Sequence, residues 1–227
     1  MCNRYNVRTN LGQLELGFSA KLAPGLEWQT SKYNTGINVA PRDYGLTLRL
    51  IDGVRHIVPS NWTLIPSWSK AQKLAFDTMN AKSETVATKP AFRSAYKSRR
   101  CLVLATHYIE FEKHGKARFP FRYEIDGGKP FAMAGLWEVW RDPSDSSAPP
   151  LDSLTIITTT PNELTKQLHH RMPVIVDEPD YDAWMSGEEI PLVPFPADRM
   201  EAVPNTTKIN DSKYKGADCI GPPDTLF

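Results

Sequence analysis

The chain has 227 residues, 41% of them hydrophobic and 23% charged, and its 27 Lys and Arg against 26 Asp and Glu leave a net charge of +1. That is the composition of a globular protein, and it excludes a disordered chain and a wholesale polycation while leaving room for a local basic groove. No apolar run approaches the roughly 18 residues of a membrane span, residues 1–6 carry no apolar leader, and Cys2, Cys101 and Cys219 form no Cys-x-x-Cys. The expectations are therefore a monomer in a reducing cytoplasm, with no membrane, no secretory signal, no disulfide framework and no metal site.

The 19 prolines favour short elements and many loops. Residues 47–51 and 54–58 alternate around Asp52-Gly53, which predicts a β-hairpin. Further strands are expected at residues 62–66, 101–111, 118–125, 131–141, 154–159 and 174–177, with Asp126-Gly127-Gly128 turning between two of them. Short helices are expected at residues 83–88, 92–99 and 179–185. A longer one is expected from the Thr160-Pro161-Asn162-Glu163 start to His169, stopping before Met172-Pro173. Residues 144–150 read as a surface loop. The Pro-, Asn- and Lys-rich stretch from Pro191, and about 195–227 in particular, reads as an irregular tail packed on the body. With no linker and no repeat, the fold class is α+β: a single domain, residues 1–227, with a mostly antiparallel β-rich core flanked by short helices.

Four places carry chemistry. Met1 precedes the small residue Cys2, a context in which the initiator is removed. The exposed 1,2-aminothiol, with an amine near pKa 7.7–8.0 and a thiol near 8.5, can condense with an aldehyde or attack an acyl group. Asn80-Ala81-Lys82-Ser83-Glu84-Thr85 places an amide and a cation at a helix start, a setting for phosphate. Glu110 lies in a strand where alternation sets it on one face with Tyr108, either solvent-facing or in a pocket that shifts its pKa. His169 or His170, but not both, suits proton transfer in a pocket.

These segments, in order, resemble the SRAP family (SOS response-associated peptidase). The resemblance is carried by Met1-Cys2-x-Arg4-Tyr5, Asn38-Val39-Ala40-Pro41, residues 62–68, residues 80–85, Lys89-Pro90-Ala91-Phe92-Arg93, Arg99-Arg100-Cys101-Leu102-Val103, the strand with Glu110, residues 131–137, and His169-x-Arg171-Met172-Pro173. Three positions depart from the family pattern: Lys82 stands for arginine, Asn3 for the glycine after the cysteine, and His107-Tyr108-Ile109-Glu110-Phe111 for Gly-Phe-Tyr-Glu-Trp. Lysine keeps the charge but loses the bidentate fork.

The resemblance implies a DNA-damage protein of the SOS response that binds single-stranded DNA and crosslinks to abasic sites through a thiazolidine at Cys2. It implies Cys2, Asn80, Glu110 and His169 as catalytic residues, and Arg4, Asn38, Trp68, Lys82 and Arg93 as DNA contacts. It requires no cofactor and no metal, and implies association with the nucleoid when on DNA. The family name implies a peptidase (hydrolase), most simply one that removes its own Met1, and a lyase step on the same imine is compatible with it. Two other readings stay open: a non-covalent single-strand-binding module, and an N-terminal-nucleophile amidohydrolase.

Overall fold

The computed structural model describes residues 3–23 and 36–223. The hairpin around Asp52-Gly53 forms because both turn residues adopt positive φ, 51° and 76°, and Ile51 pairs directly with Val54. In chain order the strands are β1 (Tyr5–Asn6), β2 (Lys21–Leu22), β3 (Tyr44–Ile51), β4 (Val54–Trp62), β5 (Asn80–Lys82), β6 (Arg100–Ala105), β7 (His107–His114), β8 (Ala117–Ile125), β9 (Phe131–Trp140), β10 (Leu151–Thr159), β11 (Met172–Pro173), β12 (Ile175–Val176) and β13 (Met200–Pro204). Helices α1 (Leu11–Gly17), α2 (Arg93–Ser98) and α3 (Tyr181–Ser186) are short.

Strands β3, β4, β10, β9 and β6 pair in a closed ring. Only the β4–β10 contact within it is parallel, so the core is a small, mostly antiparallel barrel. Leu48, Leu102, Ala134 and Leu136 lie on one face of these strands and Leu154 and Ile156 on the other, and all six are fully buried. Burial of this order contributes about 1.5–3 kcal/mol per large side chain. A second sheet, in the order β1-β7-β8-β13, lies against the barrel. Its inner side chains Tyr5, Tyr108, Tyr123 and Ile125 join the main core. Its outer side chains Ile109 and Phe111 form a separate cluster with Ile209, Cys219 and Ile220 of the C-terminal segment.

Several expectations are corrected. Residues 101–111 are not one strand. At Thr106 the chain leaves the barrel for the second sheet, with Thr106 N–H donating to the Asn6 carbonyl at 2.7 Å and its hydroxyl accepting from Arg8 N–H at 2.8 Å. Every residue of β6 is buried, so no alternation marked the break. Residues 63–66 lie outside any strand because β4 ends at Trp62. The helix expected from Thr160 shrinks to one 3-10 turn, Thr165–Gln167, because the Asn162 side chain accepts the Thr165 N–H at 2.8 Å and caps the chain three residues in. Residues 83–88 form turns. The C-terminal segment is more regular than expected, since β13 pairs with β8. Helix α1, capped by the Asn10 side chain, had no counterpart among the expected elements.

The start of the chain is seated through Tyr5. Its ring packs on Trp62 at 5.1 Å, and a Cβ on Gly45 would overlap its hydroxyl. Gly45→Ala is therefore expected to lower the melting temperature by the equivalent of about 1–3 kcal/mol, the usual cost of overpacking. Gly17→Ala, where a Cβ meets nothing within 4 Å, is the neutral control in the same thermal melts.

Candidate active site

Strand β1 is only two residues long, yet it is held on both sides. Tyr5 and Asn6 pair with Tyr108 and His107, and Tyr5 exchanges backbone hydrogen bonds with Val39 at 3.2 and 2.8 Å. Ile109 N–H donates to the Arg4 carbonyl at 3.0 Å, so the same register continued by one residue sets Asn3 across from Glu110. Glu110 is 3% exposed, and its Oε1 accepts no hydrogen bond from the described residues; the Asn3 Oδ1 is likewise enclosed without a donor. A buried acceptor without a partner marks a place for a donor. Burial pushes the Glu110 carboxyl up to about 7 against the pull of Lys113, which makes it a group that titrates at neutral pH.

His169 comes from the barrel side. It follows the Thr165–Gln167 turn, with its N–H donating to the Thr165 carbonyl at 2.9 Å. Its Nδ1 lies 3.0 Å from the Arg171 N and 3.2 Å from the Arg171 carbonyl, which fixes the ring orientation. Burial, reinforced by His170 and Lys113, holds its pKa down to about 4, and it is neutral at physiological pH. His170 stacks on it at 4.4 Å from the exposed side.

Asn80 begins β5, which runs parallel to β10 with Asn80 beside Ile156 and Lys82 beside Thr158. Asn80 is half-buried and Lys82, two residues on along the same face, is exposed. Glu84, just beyond, receives both guanidinium nitrogens of Arg171 at 2.5 and 2.9 Å, and Arg171 also donates to the Thr158 carbonyl at 2.5 Å. The hydrogen bond from Arg171 pulls the Glu84 carboxyl down to about 2. This bidentate pair fastens the segment carrying Asn80 and Lys82 to the turn carrying His169. Sequence reading named Glu84 and Arg171 within motifs but gave them no role and did not single out Thr158; their value lies in a contact 87 residues apart, between Glu84 and Arg171, which spacing along the chain does not reveal.

The remaining expected residues divide. Trp68 is 57% exposed, and Arg93 is exposed at the start of α2. Arg4 is 6% exposed and donates to the Asn38 Oδ1 at 3.0 Å, while the fully buried Asn38 donates through Nδ2 to the carbonyls of Asp211 and Tyr214, each at 2.8 Å. These two side chains bed the start of the chain rather than facing solvent. Cys2 lies outside the described residues. A cleft of about 600 Å³ opens beside Met79, lined by Arg42, Lys73 and the half-exposed Phe76 among others, none of which sequence reading singled out.

The chain matches the SOS response associated peptidase (SRAP) family over residues 1–212. It belongs to the SRAP family. The abasic site processing protein YoqW of Bacillus subtilis is 34% identical over 197 residues, covering 83% of this SRAP chain and 87% of YoqW. The abasic site processing protein HMCES of Gallus gallus is 28% identical over 233 residues, 86% of this chain and 69% of that protein. A solved structure of a Bacteroides thetaiotaomicron protein superposes with a TM-score of 0.84 at 22% identity, covering 97% and 99% of the two chains, which shows the shared fold. Of the four catalytic positions implied for an SRAP protein, Asn80 and His169 are tied together through Glu84 and Arg171, and Glu110 lies across from the start of the chain.

The Glu84–Arg171 pair has a pH signature. A carboxyl held below its ordinary 4.5 stabilises the fold above that value, and the contribution is lost as pH falls from there toward about 2. Glu84→Gln is expected to cost about 1 kcal/mol at pH 7, modest because Glu84 is half-exposed, and to flatten the acid limb of melting temperature against pH. An acid limb identical to wild type would remove the pair from the account.

Proposed function

We propose that this SRAP protein captures abasic sites in single-stranded DNA by a covalent bond to Cys2 after loss of Met1. The observation that carries the reading is Glu110: a buried carboxyl near pKa 7, with an unpartnered oxygen, across from Asn3 and thus one residue from the chain position that bears the amine and thiol. Family membership and relatives named as abasic site processing proteins support the substrate.

In this reading the abasic sugar opens to its C1′ aldehyde. Glu110 as carboxylate takes a proton from the Cys2 α-ammonium, and the amine adds to C1′. The protonated Glu110 returns the proton to the new hydroxyl, which leaves as water and gives the imine. The Cys2 thiolate then adds to the carbon of the protonated imine, closing a neutral thiazolidine, so that aldehyde and aminothiol are consumed and one water is released. His169, neutral at physiological pH, assists proton transfer at the sugar oxygen as the ring opens. Asn80 orients the sugar or the terminal amine. Lys82 and Arg93 hold phosphates, Trp68 stacks on a base, and the cleft with Arg42, Lys73 and Phe76 accommodates a flanking nucleotide. Arg4 and Asn38 act from beneath, through the placement of β1 and the positive potential of the buried guanidinium. The same thiolate supports removal of Met1 from the chain's own N-terminus, and elimination from the imine would give a lyase activity.

Denaturing gels and intact mass after mixing with an abasic oligonucleotide test the mechanism. Wild type is expected to give a heat-stable adduct of protein plus DNA minus one water. Cys2→Ala loses it, while borohydride still traps an imine through the remaining amine. Glu110→Gln slows formation by about 10²–10⁴-fold, the usual contribution of one general acid-base group, and removes the rise in rate through pH 7. Heat-stable adduct from Cys2→Ala without borohydride would move the chemistry elsewhere, and DNA retained only on native gels would favour non-covalent binding.

Affinity is expected to favour single over double strands and to fall with salt, because each phosphate contact releases counterions. Lys82→Ala should flatten the slope of log K against log salt by about 0.7, one contact's share on a single strand. Lys82→Arg should strengthen binding by restoring a bidentate donor. A salt response unchanged in Lys82→Ala would take Lys82 out of the interface.

A further inference from the structure

Glu110 and His169 belong to different sheets: Glu110 sits on β7 of the second sheet, and His169 on the segment joining β10 to β11 of the barrel sheet. The Glu84–Arg171 pair cannot set their spacing, because both of its ends lie on the barrel side. A different contact crosses between the sheets. The Tyr108 hydroxyl lies 3.0 Å from Thr165 Oγ1, and both residues are fully buried. Tyr108 is two residues before Glu110 on the same face of β7, and Thr165 is the residue whose carbonyl receives the His169 N–H at 2.9 Å. The Tyr108 ring is itself held, stacked on its cross-strand partner Tyr123 at 4.5 Å and 3°. Burial and, after it, the Glu110 carboxylate disfavour ionisation of the Tyr123 hydroxyl, while a hydrogen bond with Thr165 opposes this, so Tyr123 stands beside the same threonine. Thr165 is fixed at its other end by its N–H to Asn162 Oδ1 at 2.8 Å.

We infer that Tyr108 is a positioning residue: its hydroxyl, bonded to Thr165, sets the His169 turn at a fixed distance from the strand that carries Glu110. The inference rests on the reading of Glu110 and His169 as the proton-handling pair. Tyr108 acts through His169, by joining two bodies whose relative placement nothing local to either one determines. Tyr108→Phe keeps the ring, its stacking and its burial while deleting the Tyr108 hydrogen bond to Thr165.

The test combines a rate, a double-mutant cycle and a titration. Tyr108→Phe is expected to slow thiazolidine formation on an abasic oligonucleotide by about 10-fold, the scale of a sub-ångström misplacement, with DNA affinity unaltered. Thr165→Val should reproduce the loss and Thr165→Ser, which keeps the hydroxyl, should restore the wild-type rate. In a His169→Ala background Tyr108→Phe should have no further effect. The imidazole of His169, followed by NMR in the free protein, should titrate higher in Tyr108→Phe than in wild type, because a loosened turn lets water reach the ring among His170, Arg171 and Lys113. Wild-type rate in Tyr108→Phe, an equal slowing with and without His169, or an unmoved His169 titration would each overturn the strut. If wild type forms no adduct at all, the crosslinking reading fails, while the titration arm, which needs no DNA, still decides whether Tyr108 governs the turn.

Discussion

Two residues of strand carry much of this molecule's arrangement. Tyr5 and Asn6 form a rung between β7 and the 38–39 segment, and their backbone bonds are supplemented by side chains from three directions: Tyr5 on Trp62, the Asn6 Oδ1 accepting the Asn38 N–H at 2.7 Å, and Arg4 on Asn38. An isolated two-residue pairing has no stability of its own. Here it persists because Tyr5 is buried against Trp62 while Asn6 and Arg4 bond to Asn38, so that moving β1 by one register would expose Tyr5 and break both of those bonds at once. The location of Glu110 relative to the chain start follows from that register.

Burial then acts on the two titrating groups in opposite senses. The carboxyl of Glu110 is raised to about 7 and the imidazole of His169 lowered to about 4, and both changes favour the uncharged form. A site built in this way holds protons without holding much charge. The positive charge around it sits further out, on Lys113 and Lys82, where it attracts a polyanion without neutralising the carboxyl by a direct ion pair. The enclosed side is closed off by the aromatic stack of Tyr108 and Tyr123, which keeps the surroundings of Glu110 poor in water.

What the sequence disclosed depended on whether the cause was local. The hairpin at Asp52-Gly53 was legible because a positive-φ turn has a residue signature. The placement of Glu110 and Tyr108 on one face of a strand was legible from alternation. The sheet switch at Thr106 was not, because β6 is buried on both faces and its partners are residues 6 and 8. The helix after Thr160 was over-read, since a good cap and a proline at the first position describe a start but not what Asn162 does two residues later. Arg4 reads as an exposed cation in sequence and is a buried one in structure, paired with an asparagine 34 residues away. The family resemblance assembled Asn80, Glu110 and His169 as a set, but only the fold shows the Glu84–Arg171 and Tyr108–Thr165 contacts that join their segments.

The C-terminal segment adds a constraint of time. Asn38 is held by the carbonyls of Asp211 and Tyr214, Lys215 donates to the Asn38 carbonyl at 2.7 Å and to Asp43 at 2.6 Å, Arg8 reaches the Ile220 carbonyl at 3.3 Å, and Cys219 lies 3.8 Å from the Asn6 side chain. The residues that lock the bed of β1 are made 172 to 213 residues after those that form it. During synthesis the barrel strands can close on one another while the bed of β1 still lacks its clamp. The bed of β1 is complete only once residues 211–221 are in place.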